Sequence, residues 1–295
     1  MIAGGLIDTH LNGALGVAFD AATPEDLARI GLYLARRHRL AGYVATLISQ
    51  PRARLVAAIA RLRDAATLPG ARCLGIHVEG PFLSPAYRGA HPRRALRRPD
   101  VREFAEWVRA ADGRLRMITI APELPGAIQV IREARRNGVV VSIGHTGATY
   151  EEARRAIRAG ATHVTHVFNA MRPFHHRDPG VLGAALLEDV WVEAVYDGRH
   201  IGRQAMELLL RCKGKQRIVL ASDASPALGA RAGRYQFSGI AIDLRGGRSV
   251  VRGTTNLAGS AAGLWDCYRR FARDFGEAPE VVTTNPLTML GLRGR

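Results

Sequence analysis

Cysteine is scarce in this chain, with three in 295 residues. Cys73, Cys212 and Cys267 lie far apart and form no Cys-x-x-Cys pair. They read as reduced structural thiols, not as a disulfide framework or a redox motif. No apolar run reaches the roughly 18 residues that span a bilayer, so no membrane partner is expected. The opening residues, MIAGGLIDTH, carry neither a basic n-region nor an apolar h-region. No signal peptide is expected, and the cytoplasm is the expected compartment. Lysine is nearly missing: Lys213 and Lys215 are the only lysines among 42 basic residues. The formal charge is still +16. Segments such as REARR (132–136) and EEARRAIR (151–158) mix both signs at helical spacing, as solvated helix faces do. The densest basic run, residues 88–102, has no interleaved aromatics, so no nucleic-acid partner is expected.

What is present is a rhythm. Short apolar runs rich in β-branched residues recur at 5–12, 42–49, 73–80, 116–123, 139–146, 162–169, 190–197 and 217–224. They mostly do not alternate, which suits parallel strands buried on both faces. Helical patterns fill most of the gaps, at 24–38, 53–65, 101–111, 127–138, 150–160, 203–212 and 261–276, with a short helix near 182–188. The first follows Thr23, a good N-cap, and has Pro24 in its first turn. Eight strands alternating with helices predict a (β/α)8 TIM barrel of class α/β, one domain over residues 1–295. A doubly wound open sheet is the alternative, but no Gly-x-Gly-x-x-Gly follows the first strand and no P-loop occurs. Residues 235–255 alternate apolar and polar around Arg-Gly-Gly, which predicts an antiparallel β-hairpin excursion from the eighth βα loop.

Nearly every strand ends in a residue capable of chemistry: His10 and Asn12, Ser49, His77 and Glu79, Glu123, His145, His166 and Asn169, Asp197, Asp223. In a barrel these ends converge on the face where active sites are found. Glu79, His145 and His166 offer the three nitrogen or oxygen ligands of a catalytic divalent metal. Asp223 has the position of a general acid/base. His163 lies three residues before His166, an odd offset that predicts it on the opposite pleat, packed outward. His77 lies two residues before Glu79 on one pleat and reads as a packing residue beneath the site. No Gly-x-Ser-x-Gly occurs and no cysteine ends a strand, so no covalent nucleophile is expected.

Eight motifs now follow in one order: HVEGPF (77–82), RGAHP (88–92), GHT (144–146), THVFNAM (165–171), PFHHRDPG (173–180), DGRH (197–200), SDA (222–224) and LAGS (257–260). Together, over about residues 4–291, they resemble the N-acetylglucosamine-6-phosphate deacetylase family of the amidohydrolase superfamily. The resemblance implies Glu79, His145 and His166 as ligands of one divalent cation, zinc first and iron, manganese or cobalt as alternatives. It implies Asp223 as the acid/base and His91 as the group polarising the acetamide carbonyl. It implies Arg177 on the substrate phosphate, His200 at the sugar-phosphate end, and the backbone around Asn169 and Ala170 in the same pocket. A fixed guanidinium fork suits a phosphate dianion. The implied partner is a small phosphorylated amino sugar, and a homodimer is consistent with the family.

Three departures qualify the match. His10-x-Asn12 stands where two-metal amidohydrolases have His-x-His, leaving His10 as a weak second-site candidate. The chain is expected to be a barrel without the usual flanking β-sandwich, either as a fragment of a longer protein or as a barrel-only protein. Residues 225–234 carry no phosphate-binding signature. The competing readings are a deacylase of another N-acyl amino sugar or small amide, and a catalytically silent sugar-phosphate-binding barrel.

Overall fold

Eight strands pair in parallel in strict chain order in the computed structural model, which describes residues 4–292. They are β1 (Leu6–Leu11), β2 (Leu40–Ile48), β3 (Arg72–Glu79), β4 (Leu115–Ile120), β5 (Val140–Ile143), β6 (His163–Val164), β7 (Trp191–Ala194) and β8 (Ile218–Leu220). Nearly every strand residue is buried, which is why the sequence shows apolar runs and little alternation. The ring closes at its upper rim. Leu11 bridges Ala224, the Asn12 N–H donates to the Ala224 carbonyl at 2.7 Å, and the Ser222 N–H donates to the Asp8 carboxylate at 3.2 Å.

Helices cover the outside: α1 (Pro24–His38), α2 (Arg52–Leu62), α3 (Val101–Ala111), α4 (Ala127–Arg136), α5 (Tyr150–Ala159), α6 (Gly180–Leu187), α7 (Arg203–Lys213), α8 (Leu264–Phe275) and α9 (Thr284–Met289). Their starts are chemically marked. Thr23 and Thr149 each accept the N3 amide proton, and the N3 acids Asp26 and Glu152 close the reciprocal bond. Among the described residues no helix is long and apolar enough to cross a membrane.

Two elements differ from expectation. The excursion after β8 is a three-stranded meander, β9 (Gly233–Phe237), β10 (Ile240–Arg245) and β11 (Arg248–Val251). Its Gly246-Gly247 turn is the expected one. The extra strand is added by a second tight turn at Ser238-Gly239, where both residues have positive φ. No helical pattern in the sequence predicts α9, where Pro286 sits in the first turn, a position that costs no internal hydrogen bond. Its end closes the barrel floor: Met289 and Leu290 pack against Ile7, Val44, Leu74, Met117 and Val219.

Above that apolar floor the interior turns polar. Thr119 Oγ1 lies 2.8 Å from both His77 Nε2 and Thr165 Oγ1, and Thr46 Oγ1 lies 3.3 Å from His77 Nδ1. Ser142 hydrogen-bonds Thr165 and, at 2.9 Å, His163 Nδ1. His163 is therefore fully buried in the interior network, not packed outward. The two histidines do not share one strand, because β6 ends at Val164. His166 lies beyond the strand in a left-handed turn, so strand alternation does not relate it to His163.

Candidate active site

The floor of the site is made by residues that leave their strands in an uncommon conformation. His145, His166 and Asp223 follow β5, β6 and β8 within two or three residues, and all three have positive φ (48°, 25° and 47°). Non-glycine residues rarely adopt this region, and its clustering here marks a place where backbone strain aims side chains. Each turn is held. The Glu123 carboxylate accepts from Thr146 Oγ1 at 2.5 Å and from the Gly147 N–H at 2.7 Å, fixing the chain after His145. The Val167 N–H donates to the Glu193 carbonyl, fixing the chain after His166.

These turns bring the three expected ligands together. Glu79 Oε1, His145 Nε2 and His166 Nε2 lie 3.0 Å from one another. Tetrahedral ligands at zinc bond lengths stand roughly 3.3 Å apart. His145 Nδ1 donates to the Tyr87 carbonyl at 2.9 Å, which leaves its Nε2 lone pair facing the centre. Burial, reinforced by the neighbouring His91, pushes the His145 pKa down to about 4, so the ring is neutral at pH 7. Burial opposes charge on Glu79, but the neighbouring charge of His10 and the contact with the His166 ring hold its carboxyl well below the usual range. Two imidazole nitrogens and a carboxylate oxygen, open on the cleft side, are the donor set of a catalytic divalent metal.

Asp223 sits beside this cluster. Its Oδ1 accepts from Asn12 Nδ2 at 2.8 Å and lies 3.4 Å from His10 Nε2. Burial raises its pKa against the pull of His10. Thus Asn12 serves as a hydrogen-bond donor to the acid/base candidate. His10 itself lies 3.5 Å from Glu79 Oε2, and among the described residues it is not part of the converging ligand triad. His77 has no direct role: its ring contacts His10 edge-on, and burial pushes its pKa down to about 3.

His91 enters through Ser49. The Ser49 N–H donates to His91 Nδ1 at 3.2 Å, so the ring proton resides on Nε2, which points into the site 3.4 Å from Glu79 Oε2. His200 is oriented from the other side by Asp197, whose carboxylate lies 2.8 Å from His200 Nδ1 and also accepts from Ser260 Oγ and the amides of residues 199 and 200. The cleft above these groups has a volume of ≈ 570 Å³ and is also lined by Asn169, Ala170, Arg88 and Phe237. Arg177 does not line it. Its guanidinium meets His176 at 2.9 Å on the exposed loop that leaves the cleft wall after Met171.

Gly80 explains how the HVEGPF motif delivers its glutamate. Its φ is +79°, and a Cβ there would stand 2.4 Å from Ser49 Oγ and 2.8 Å from the Leu83 side chain. Gly80→Ala should therefore destabilise the protein by about 1–3 kcal/mol. It should also move Ser49, and with it His91. A urea-unfolding midpoint equal to that of the parent would contradict this packing.

One buried acid beside the site carries no motif in the sequence. Glu193, the third residue of β7, is fully buried inside the barrel and lies 2.9 Å from His10 Nδ1. Burial opposes its charge, yet His10 holds its pKa down at about 2. The available signal was an acid inside the apolar run VWVEAV.

Comparison with known proteins shows the family and the fold. Residues 1–294 match the Amidohydrolase family. An N-acetylgalactosamine-6-phosphate deacetylase from Escherichia coli O157:H7 is 35% identical over 98% of this chain and 78% of its own length. The human N-acetylglucosamine-6-phosphate deacetylase is 36% identical over 99% of this chain and 75% of its own. The match to the Bacillus subtilis N-acetylglucosamine-6-phosphate deacetylase, at 36% identity, spans 87% of this chain and 66% of that relative. A mutant N-acetyl-D-glucosamine-6-phosphate deacetylase from Mycobacterium smegmatis, solved in complex with N-acetyl-D-glucosamine-6-phosphate, superposes with a TM-score of 0.92 at 36% identity. That match covers 98% of this chain and 77% of the other.

Proposed function

The chain belongs to the amidohydrolase family, and from that premise we propose that it hydrolyses the acetamide of N-acetyl-D-glucosamine 6-phosphate to glucosamine 6-phosphate and acetate, a step of amino-sugar breakdown. The observation that carries this reading is the meeting of Glu79, His145 and His166 beneath a cleft that Asp223 and His91 also face. Glu79, His145 and His166 would hold the cation, and zinc is the proposed one for a two-nitrogen, one-oxygen donor set. When bound, it supplies Lewis acidity at the acetamide and lowers the pKa of water.

The chain's own groups do the rest. His91 Nε2–H donates to the carbonyl oxygen, where negative charge develops as water attacks. Asp223 takes the water proton and returns it to the sugar nitrogen as the carbon–nitrogen bond breaks. Its raised pKa suits both halves of that exchange. Asn12 keeps the carboxylate aimed through its 2.8 Å hydrogen bond. The products are acetate and the free amine, and atoms balance with one water consumed.

His200, fixed by Asp197, is proposed to meet the sugar-phosphate end, with the backbone around Asn169 and Ala170 forming the adjoining wall. Arg177 is proposed to meet the phosphate by turning its guanidinium from His176 toward the cleft. Arg177→Ala should then raise KM for the phosphorylated sugar tenfold or more, about the 1.5–3 kcal/mol of a charge-assisted hydrogen bond. Equal KM in parent and variant, for phosphorylated and unphosphorylated sugars alike, would remove Arg177 from the pocket. A second substrate reading comes from the Escherichia coli relative named for the galactosamine sugar. The two sugars differ only in configuration at C4. Side-by-side kcat/KM values for both decide between them.

A further inference from the structure

One carboxylate ties together two parts of the site that no sequence motif links. Glu193 Oε1 accepts from His10 Nδ1 at 2.9 Å and from the His166 N–H at 3.1 Å. Its Oε2 accepts from Thr9 Oγ1 at 3.3 Å. The first contact fixes the His10 ring, whose Nε2 stands 3.4 Å from Asp223 Oδ1 and 3.5 Å from Glu79 Oε2. The second contact anchors the main chain of His166 at φ +25°, where the backbone has little intrinsic preference to stay. The Glu193 carbonyl secures the next residue by accepting from the Val167 N–H at 2.9 Å. The side chain is completely buried, so no solvent can replace these hydrogen bonds when it is removed.

We propose that Glu193 is a positioning residue for the deacetylation: through His10 it sets the Asp223 carboxylate, and through its grip on the β6 turn it sets His166. It is fully buried and does not line the cleft. Its role depends on reach, since a single oxygen must meet both His10 and the amide of His166. This inference rests on the deacetylase reading for its kinetic consequence, but its geometric part stands on the hydrogen bonds alone.

Two substitutions separate reach from charge. Glu193→Gln keeps the length and the carbonyl oxygen, and its amide group can donate to Thr9 Oγ1. Glu193→Asp keeps the charge and withdraws the carboxylate by about 1.5 Å, one carbon–carbon bond. Loss of such supporting contacts typically costs 10–100-fold. Glu193→Asp should therefore lower kcat about 10–100-fold with KM nearly unchanged, while Glu193→Gln should stay within about threefold of the parent. The visible absorption spectrum of the cobalt(II)-loaded protein gives a second readout. It should change in the aspartate variant and match the parent in the glutamine variant. His10→Gln removes the middle link and should reproduce the kinetic loss even if the aspartate variant does not fold. Parental kcat in either Glu193→Asp or His10→Gln overturns the proposal, and so does a glutamine variant worse than the aspartate one. A parent protein without deacetylase activity would sink the functional reading instead, and the cobalt spectra of the two variants would then decide the positioning claim alone.

Discussion

Asp223→Asn should lower kcat by about 10²–10⁴, the usual contribution of a positioned acid/base, while the metal content stays that of the parent. Asparagine replaces aspartate atom for atom, so the left-handed turn after β8 and the contact with Asn12 keep their geometry. What disappears is the ability to take a proton from water and return it to the sugar nitrogen. Asp223 is outside the Glu79, His145 and His166 triad, so the cation's ligands are untouched. Equal turnover in Asp223→Asn and parent would remove Asp223 from the mechanism. Loss of metal together with turnover would make it a ligand instead.

Glu79→Gln should have the other large effect, on metal affinity. Glu79 is the only anion of the triad, and it is held ionised chiefly by His10 despite complete burial. A structural zinc site is worth roughly 10–16 kcal/mol. Loss of the charged arm out of three protein ligands should remove on the order of 4 kcal/mol, or about a thousandfold in Kd. Competition with a chromophoric chelator measures this directly. A Kd within tenfold of the parent would mean that the two histidines hold the cation without the carboxylate.

The sequence made most of this site legible because a barrel converts strand order into geometry. Glu79, His145 and His166 are 87 residues apart at their extremes, yet each stands at the end of a strand of one ring or within two residues of it, so their convergence could be read from the run endings. The same logic placed Asp223. The less legible features depend on where strands stop. β6 holds its ladder for only two residues, and the chain then turns through positive φ at His166, Phe168 and Ala170. Nothing in THVTHVFNA marks that break, so strand alternation predicts the wrong face for His163. Glu193 was hidden for a different reason: it lies inside a strand, so its value depends on His10, more than 180 residues away in sequence and 2.9 Å away in space. The third strand of the meander is not legible because Ser238-Gly239 is a weaker turn signal than the two glycines at 246 and 247. Arg177 illustrates the reverse case. Its motif was readable, but its guanidinium rests on His176, outside the cleft walls.

Glu123 and Asp197 show how strand-end residues divide their labour. Both were candidates by position, and neither joins the ligand triad. Glu123 fastens the loop that follows His145 by accepting from Thr146 and Gly147. Asp197 fixes the orientation of His200. Such supports account for the precision of the triad, since ligands on left-handed turns hold their aim only when neighbouring hydrogen bonds fix the backbone.

The most direct test of the account is elemental analysis of the purified protein, paired with a deacetylation assay on N-acetylglucosamine 6-phosphate before and after exhaustive chelation. The account predicts close to one divalent cation per chain, turnover that vanishes when the cation is removed, and turnover that returns when zinc is restored. Full turnover in the metal-free protein would contradict it.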